Sequence, residues 1–240
     1  MIKIENLNLK LDNLIFFENA SITIPKNEIT VLVGLNGTGK TTLLKVISGL
    51  LKPQSIKIEK SYKELFYLPQ RIKYPQGITL FEYIESSFYK NSWKWFVTKE
   101  EKEKIEEVIA LLELTDKKNT LIDNLSSGEL QKANIALGLA TKADILLLDE
   151  PISNMDLINQ IKVLDIVKKI SSTGITCVMV LHDINLSSSY GDNFIGLTKN
   201  KKVIQKKKDD FFTSENLKEI YGIDFKVIKD DKDFHIQIFN

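Results

Sequence analysis

The sequence predicts an α/β fold: a mainly parallel sheet, an antiparallel β-subdomain at the N-terminus, and an inserted helical subdomain. Three observations predict it. Short apolar runs rich in β-branched residues, at 28–33, 143–148 and 175–181, read as strands buried on both faces. Stretches with helical spacing lie between them, which is the alternation that makes parallel sheets. A glycine-rich loop, residues 34–42, joins the first run to a helix ending at Gly49.

The elements follow in chain order. Ile2, Ile4, Leu7, Leu9 and Leu11 alternate with polar residues, and residues 20–24 alternate again, so the first 33 residues read as strands. Between them and the first buried run, Pro25 to Glu28 form a turn, with Asn27 tolerant of a left-handed backbone. After the loop and its helix, Lys52-Pro53-Gln54 breaks the chain. Residues 55–60 and 65–68 read as strands, the second stopped by Pro69. Character then changes, and the helical subdomain is placed at approximately 71–142. Residues 78–88 carry helical spacing, and residues 99–114 place Ile105, Val108, Ile109 and Leu112 on one face. Residues 126–142 and 159–170 are further helices. Residues 194–205 read as a hairpin turning near Asn200-Lys201, and 215–221 as a short helix. A final hairpin, approximately 222–240, turns across Asp230–Asp233. There is no internal repeat and no low-complexity linker, so residues 1–240 read as one domain.

Bulk properties exclude several classes. The 43% apolar content supports a core and argues against disorder. The net charge of +1 gives no electrostatic case for nucleic acid. The lysine-rich run 199–208 reads as a solvated hairpin tip and strand end. No apolar run approaches the roughly 20 residues that span a bilayer, and the N-terminus lacks a signal peptide's apolar core. The single cysteine, Cys177, excludes an internal disulfide, fits a reducing compartment and reads as core.

The chemistry starts at Gly34-Leu35-Asn36-Gly37-Thr38-Gly39-Lys40-Thr41-Thr42, which fits the phosphate loop G-x-x-x-x-G-K-S/T. Strand, glycine loop and helix together aim backbone N–H groups and a helix N-terminus at a phosphate. Lys40 reaches the β- and γ-phosphates, and Thr41 offers its hydroxyl to Mg²⁺. The fold is therefore expected to be built on a P-loop NTPase core. Such a loop needs an acid at the end of a neighbouring strand to hold the metal, and Ile145-Leu146-Leu147-Leu148-Asp149-Glu150-Pro151 supplies Asp149. Glu150 follows as a candidate general base toward water.

At this point the sequence resembles the ATP-binding-cassette (ABC) ATPases. Leu125-Ser126-Ser127-Gly128-Glu129 resembles their signature LSGGQ, with Ser127 and Glu129 as departures, and stands 24 residues before Asp149. Gln70 resembles the Q-loop glutamine, Ser153 to Asp156 the D-loop, and His182 the switch histidine. Ile152 stands where the family often has threonine. The resemblance covers nearly the whole chain. It implies a head-to-tail homodimer of ATPase domains. Each ATP lies between one copy's phosphate loop and the other's Ser126 and Gly128, with Asp156 at the seam. It implies that Gln70 joins Thr41 and Asp149 near Mg²⁺, that Glu150 polarises water and that His182 contacts the γ-phosphate. The family's adenine-stacking aromatic registers on Leu11, which is not aromatic; the alternatives are Phe16 or Phe17 in its place or a purely apolar contact by Leu11, with core packing the expected role of Phe17.

Gln76-Gly-Ile-Thr-Leu80, His182-Asp-Ile-Asn-Leu186 with Tyr190-Gly-Asp192, and Glu215 to Gly222 most resemble the ATPases of siderophore, haem and cobalamin importers. That resemblance implies a transmembrane permease, a substrate-binding protein in the same system, and a peripheral place on the cytoplasmic face of the membrane. An exporter ATPase and a non-transport ABC ATPase, such as an iron–sulfur assembly component, are the alternatives. The ring-rich stretch 88–96, with Trp93 and Trp95, is an expected permease contact within residues 71–96.

Overall fold

The structure is a computed structural model that describes residues 1–89, 96–230 and 233–239. Trp93 and Trp95 lie outside the described residues.

The chain opens with β1 (Ile2–Leu11) and β2 (Leu14–Ile24), then β3 (Ile29–Gly34) and α1 (Lys40–Ser48). β4 (Ser55–Lys60) and β5 (Leu65–Leu68) follow. The helical stretch holds α2 (Leu80–Glu85), α3 (Lys99–Leu111) and α4 (Ser127–Ala140). β6 (Ile145–Leu148), α5 (Leu157–Ser172), β7 (Thr176–Val180), α6 (Ile184–Tyr190) and β8 (Asn193–Leu197) return to alternation. The end comprises β9 (Val203–Lys207), α7 (Lys208–Phe211), α8 (Ser214–Tyr221), β10 (Phe225–Asp230) and β11 (Asp233–Ile238).

The central sheet has the order β5-β6-β7-β3-β8-β9. Its first five strands run parallel, and β9 closes the edge antiparallel to β8. An antiparallel sheet β2-β1-β4 packs across one face. The expected fold class is what the chain adopts.

The apolar runs look unbroken because each strand feeds two cores. From β6, Leu146 and Leu148 enter the core beneath α2–α5, while Ile145 and Leu147 enter the core shared with α1 and the antiparallel sheet. From β7, Cys177 and Met179 go one way and Val178 and Val180 the other. Cys177 is fully buried, and burial pushes its thiol up to about 12, so it is inert packing.

Caps set the helix starts. Thr79, Thr98 and Ser126 each close a reciprocal capping box with a glutamate three residues on. Asn27 takes the left-handed backbone expected of it, φ 59°. Three elements go beyond the sequence reading, the short α7 among them. β2 begins at Leu14, six residues before the alternation at Ala20, and bulges absorb the irregular pattern. α6 was not foreseen: Asp183 caps it by accepting from the Leu186 N–H.

Candidate functional site

The parallel strands end at one edge, and the candidate residues collect there. β3 runs into the phosphate loop through Gly34, whose φ is 141°. A Cβ at Gly34 would lie 2.4 Å from the Leu197 carbonyl oxygen, so only glycine lets β3 and β8 approach this closely. Gly39 caps α1 with φ 103°. Asn36 and Gly37 are exposed, while Thr38 turns inward and its Oγ1 donates to the Leu35 carbonyl at 2.9 Å. Thr42, on the first turn of α1, is half-buried. Lys40 is buried, with Nζ donating to the Gly34 and Leu35 carbonyls at 2.8 and 2.9 Å. Burial lowers its pKa, and the charges of Glu150 and Asp149 oppose that shift.

Thr41 on α1 and Asp149 after β6 meet: the Thr41 hydroxyl donates to Asp149 Oδ1 at 2.9 Å. Tyr67 on β5 donates to Oδ2 of the same carboxylate at 3.2 Å. This tyrosine was missed as a functional residue, although its place three residues before Gln70 was in view. Glu150 takes a left-handed φ of 53°, unfavourable for a non-glycine residue by roughly 1 kcal/mol. Its carboxylate is held from two sides. Gln70 Nε2 donates to Oε2 at 2.5 Å, and His182 Nε2 lies 2.8 Å from Oε1. Lys40, Thr41, Gln70, Asp149, Glu150 and His182 are thus one cluster, drawn from four connections at the strand ends.

Ser126, Gly128 and Asp156 form a second group. Ser126 caps α4, and its hydroxyl donates to Glu129 Oε2 at 2.9 Å. Lys117 holds the other oxygen of Glu129 at 3.1 Å. The Ser126 backbone N–H first, and Lys117 further, keep this carboxyl below the usual range. Asp156 caps α5 and accepts from the Asn159 side chain at 2.5 Å. Asn159 in turn lies against Gly128. Among the described residues, no hydrogen bond or ion pair joins this group to the phosphate-loop cluster.

Phe17 is core, 2% exposed, as expected. Phe16 instead borders, with Ile15, a cavity of about 260 Å³ against Asn36, Gly37 and Thr38. Leu11 pairs with Leu14 at the hairpin end and does not line this cavity. Lys199 and Lys201, read from sequence as a solvated tip, border it too.

Thr41 and Asp149 are hard oxygen donors already in contact, a fitting start for Mg²⁺. No group of three or more His, Cys, Asp or Glu among the described residues is placed to hold a metal. That suits a cation completed by water and phosphate oxygens. Burial raises the Asp149 carboxyl above the ordinary range, and the Thr41 and Tyr67 hydrogen bonds offset this only in part. The native state therefore holds this proton more tightly than the unfolded chain does. That contribution is full below the ordinary Asp pKa and lost as pH rises through the raised value. At neutral pH the bare carboxylate is a net cost. We expect Asp149→Asn to raise the nucleotide-free melting temperature at pH 7, while abolishing Mg²⁺-dependent turnover. Calorimetry checks it; a lower melting temperature would mean that the charge stabilises.

The family described as "ABC transporter" matches residues 17–153. The probable siderophore transport ATP-binding protein YusV of Bacillus subtilis is 32% identical over 95% of this chain and 88% of its own. The ferric enterobactin transport ATP-binding protein FepC of Escherichia coli is 30% identical, covering 94% and 89%. A solved structure described as "An inward-facing conformation of a putative metal-chelate type ABC transporter" superposes with a TM-score of 0.88 at 24% identity, covering 99% of this chain and 96% of that one. With its phosphate loop, its strand-end acids and a family match over residues 17–153, this chain belongs to the ATP-binding-cassette family as a nucleotide-binding ATPase.

Proposed function

We propose that this chain hydrolyses Mg²⁺-ATP to drive a membrane permease that imports an iron chelate. The observation that carries the hydrolysis is the Glu150 carboxylate, strained and held between Gln70 and His182, one residue from the Thr41–Asp149 pair. Mg²⁺, held by Thr41, Asp149 and Gln70, would neutralise developing charge on the phosphates. Lys40 leaves the loop carbonyls for the β- and γ-phosphate oxygens. Each Glu150 oxygen meets one partner in this state and keeps a further lone pair with which to take a proton from water. His182, exposed at the mouth, is the partner free to turn to the γ-phosphate.

Ser126 and Gly128 make no bond to their own phosphate loop among the described residues. We place them on the nucleotide of a second copy, in a head-to-tail homodimer. The N-terminus of α4 then faces that phosphate. Leu157 and Ile158, 60% and 67% exposed beside Asp156, give this seam apolar surface. The symmetric pairing completes both sites together.

The iron-chelate reading is supported by relatives named for siderophores, including FepC and YusV. None of the helices is long and apolar enough to cross a membrane among the described residues, so the chain would sit peripherally on the cytoplasmic face and dock on a permease supplied with chelate by a binding protein. A cavity of about 860 Å³ between β5 and α3, lined by Phe66, Phe88 and acidic Glu100, Glu103 and Glu107, suits a basic cytoplasmic helix of that permease. The test uses Glu150→Gln, which retains ATP: size exclusion at high protein concentration should shift from monomer to dimer on adding ATP, and the chain should copurify with a multi-spanning protein. No ATP-dependent shift would overturn the shared site, and failure to copurify the transport reading.

A further inference from the structure

β11 is one of the two edge strands of the C-terminal sheet, so alternate residues on its side away from β10 present an N–H and C=O that no strand pairs. One such residue is not left to water. Asn185 on α6 accepts the Ile236 N–H at 2.8 Å and donates to the Ile236 carbonyl at 3.1 Å. Its side-chain amide stands in for a neighbouring strand residue. Ile236 is buried, 6% exposed, so this exchange is sheltered from solvent. Ser188, one turn later on α6, is fully buried and lies within reach of the Phe234 carbonyl, 3.4 Å away. Phe234 is anchored against Phe212, ring centroids 5.2 Å apart, which in turn meets Phe194 of β8. The C-terminal hairpin is thereby tied to the central sheet on one side and to α6 on the other.

α6 is only seven residues long and opens directly after His182 and its cap Asp183. So short a helix is not self-supporting. Its position, and hence the direction from which His182 reaches Glu150, is set by what grips it. The grip is Asn185 on the hairpin, with Tyr190 bonded to Asp165 of α5 at the far end.

We propose that Asn185 is a positioning residue for His182, through which the C-terminal hairpin fixes the histidine in register with Glu150 and the γ-phosphate. The inference rests on the role given to His182 above. It assigns the hairpin, which lies outside residues 17–153, a part in turnover. Besides Glu150, the proposed role gives the histidine one further contact, the γ-phosphate, so displacing it slows hydrolysis of ATP and leaves ADP binding alone.

Asn185→Leu keeps the shape and removes both bonds. Turnover at saturating ATP should fall about tenfold, the factor given by roughly 1.4 kcal/mol, with ADP affinity unchanged. The decisive measurement is the double variant with His182→Ala, where residual turnover should fall no further than in His182→Ala alone, because both changes remove one contact. A readout without turnover accompanies it. The chain has two histidines, His182 and His235, so the His182 imidazole resonance is assigned by its loss in His182→Ala. Asn185→Leu should move that resonance in the nucleotide-free protein. Full turnover in Asn185→Leu with an unmoved resonance overturns the inference. So does a tenfold loss that persists in the His182→Ala background, since the damage is then general. If Asn185→Leu fails to fold, Asn185→Asp, which keeps the acceptor for the Ile236 N–H, goes through the same cycle. Normal turnover in His182→Ala itself would instead overturn the role of His182.

Discussion

Glu150→Gln lowers turnover at saturating Mg²⁺-ATP by about 10²–10⁴-fold, the usual worth of a positioned general base, and leaves ATP affinity within a few-fold. The asymmetry follows from the geometry. Glu150 touches Gln70 and His182 and makes no bond to the phosphate loop. The loop's backbone N–H groups, Lys40 and the Thr41–Asp149 pair are untouched by the change. The amide keeps one acceptor oxygen for one of its two partners but turns an N–H₂ toward the other, so a small loss of stability accompanies the loss of the base. Single-turnover hydrolysis against direct binding separates the two quantities. Turnover near that of the unmodified chain would take Glu150 out of the role of base; a large loss of ATP affinity would place it in binding.

The central fold was legible because physics and pattern agree there. β6 is apolar throughout, β3 and β7 carry one threonine each, Thr30 and Thr176, and all three strands serve two cores at once. The loop glycines mark the backbone turn into α1, and Asp149 could be placed because it follows a buried strand. What was not legible depends on distant partners. α6 is rich in serine, a modest helix former, and exists because Asp183 caps it and Asn185 and Tyr190 are held from outside. Nothing local to residues 184–190 announces that. The length of β2 was hidden because Leu14, Ile15 and Phe17 pair with β1 across a bulged register that skips Phe16. Tyr67 reads as strand filler until β5 is laid beside β6, which brings its hydroxyl to Asp149. Ser126 and Asp156 illustrate the reverse case. The resemblance implied nucleotide contact for Ser126 and a place at the dimer seam for Asp156, whereas helix capping is what the single chain displays. The second role needs another copy.

Lys40→Ala acts on binding rather than on turnover alone. In the nucleotide-free protein the ammonium rests on two carbonyls of its own loop, 2.8 and 2.9 Å away, and burial makes its charge costly there. A phosphate arriving in the loop offers this buried cation a full negative charge in place of two neutral oxygens. The exchange is therefore favourable twice over, through Coulomb attraction and through relief of an under-compensated charge. Charge-assisted hydrogen bonds contribute about 1.5–3 kcal/mol each. Losing them should weaken ATP and ADP by about 10²-fold, at 1.4 kcal/mol per factor of ten. AMP, without β- and γ-phosphates, should lose nothing, which separates this effect from collapse of the loop. Alanine is the best helix former, and residue 40 is the first of α1, so the helix should persist. Lys40→Arg should not rescue binding, since a planar guanidinium cannot take the place of a compact ammonium beside both carbonyls. Titration calorimetry in the Glu150→Gln background avoids hydrolysis during the measurement. Equal ATP affinity with and without the Lys40 side chain would count against residues 34–42 as the phosphate cradle.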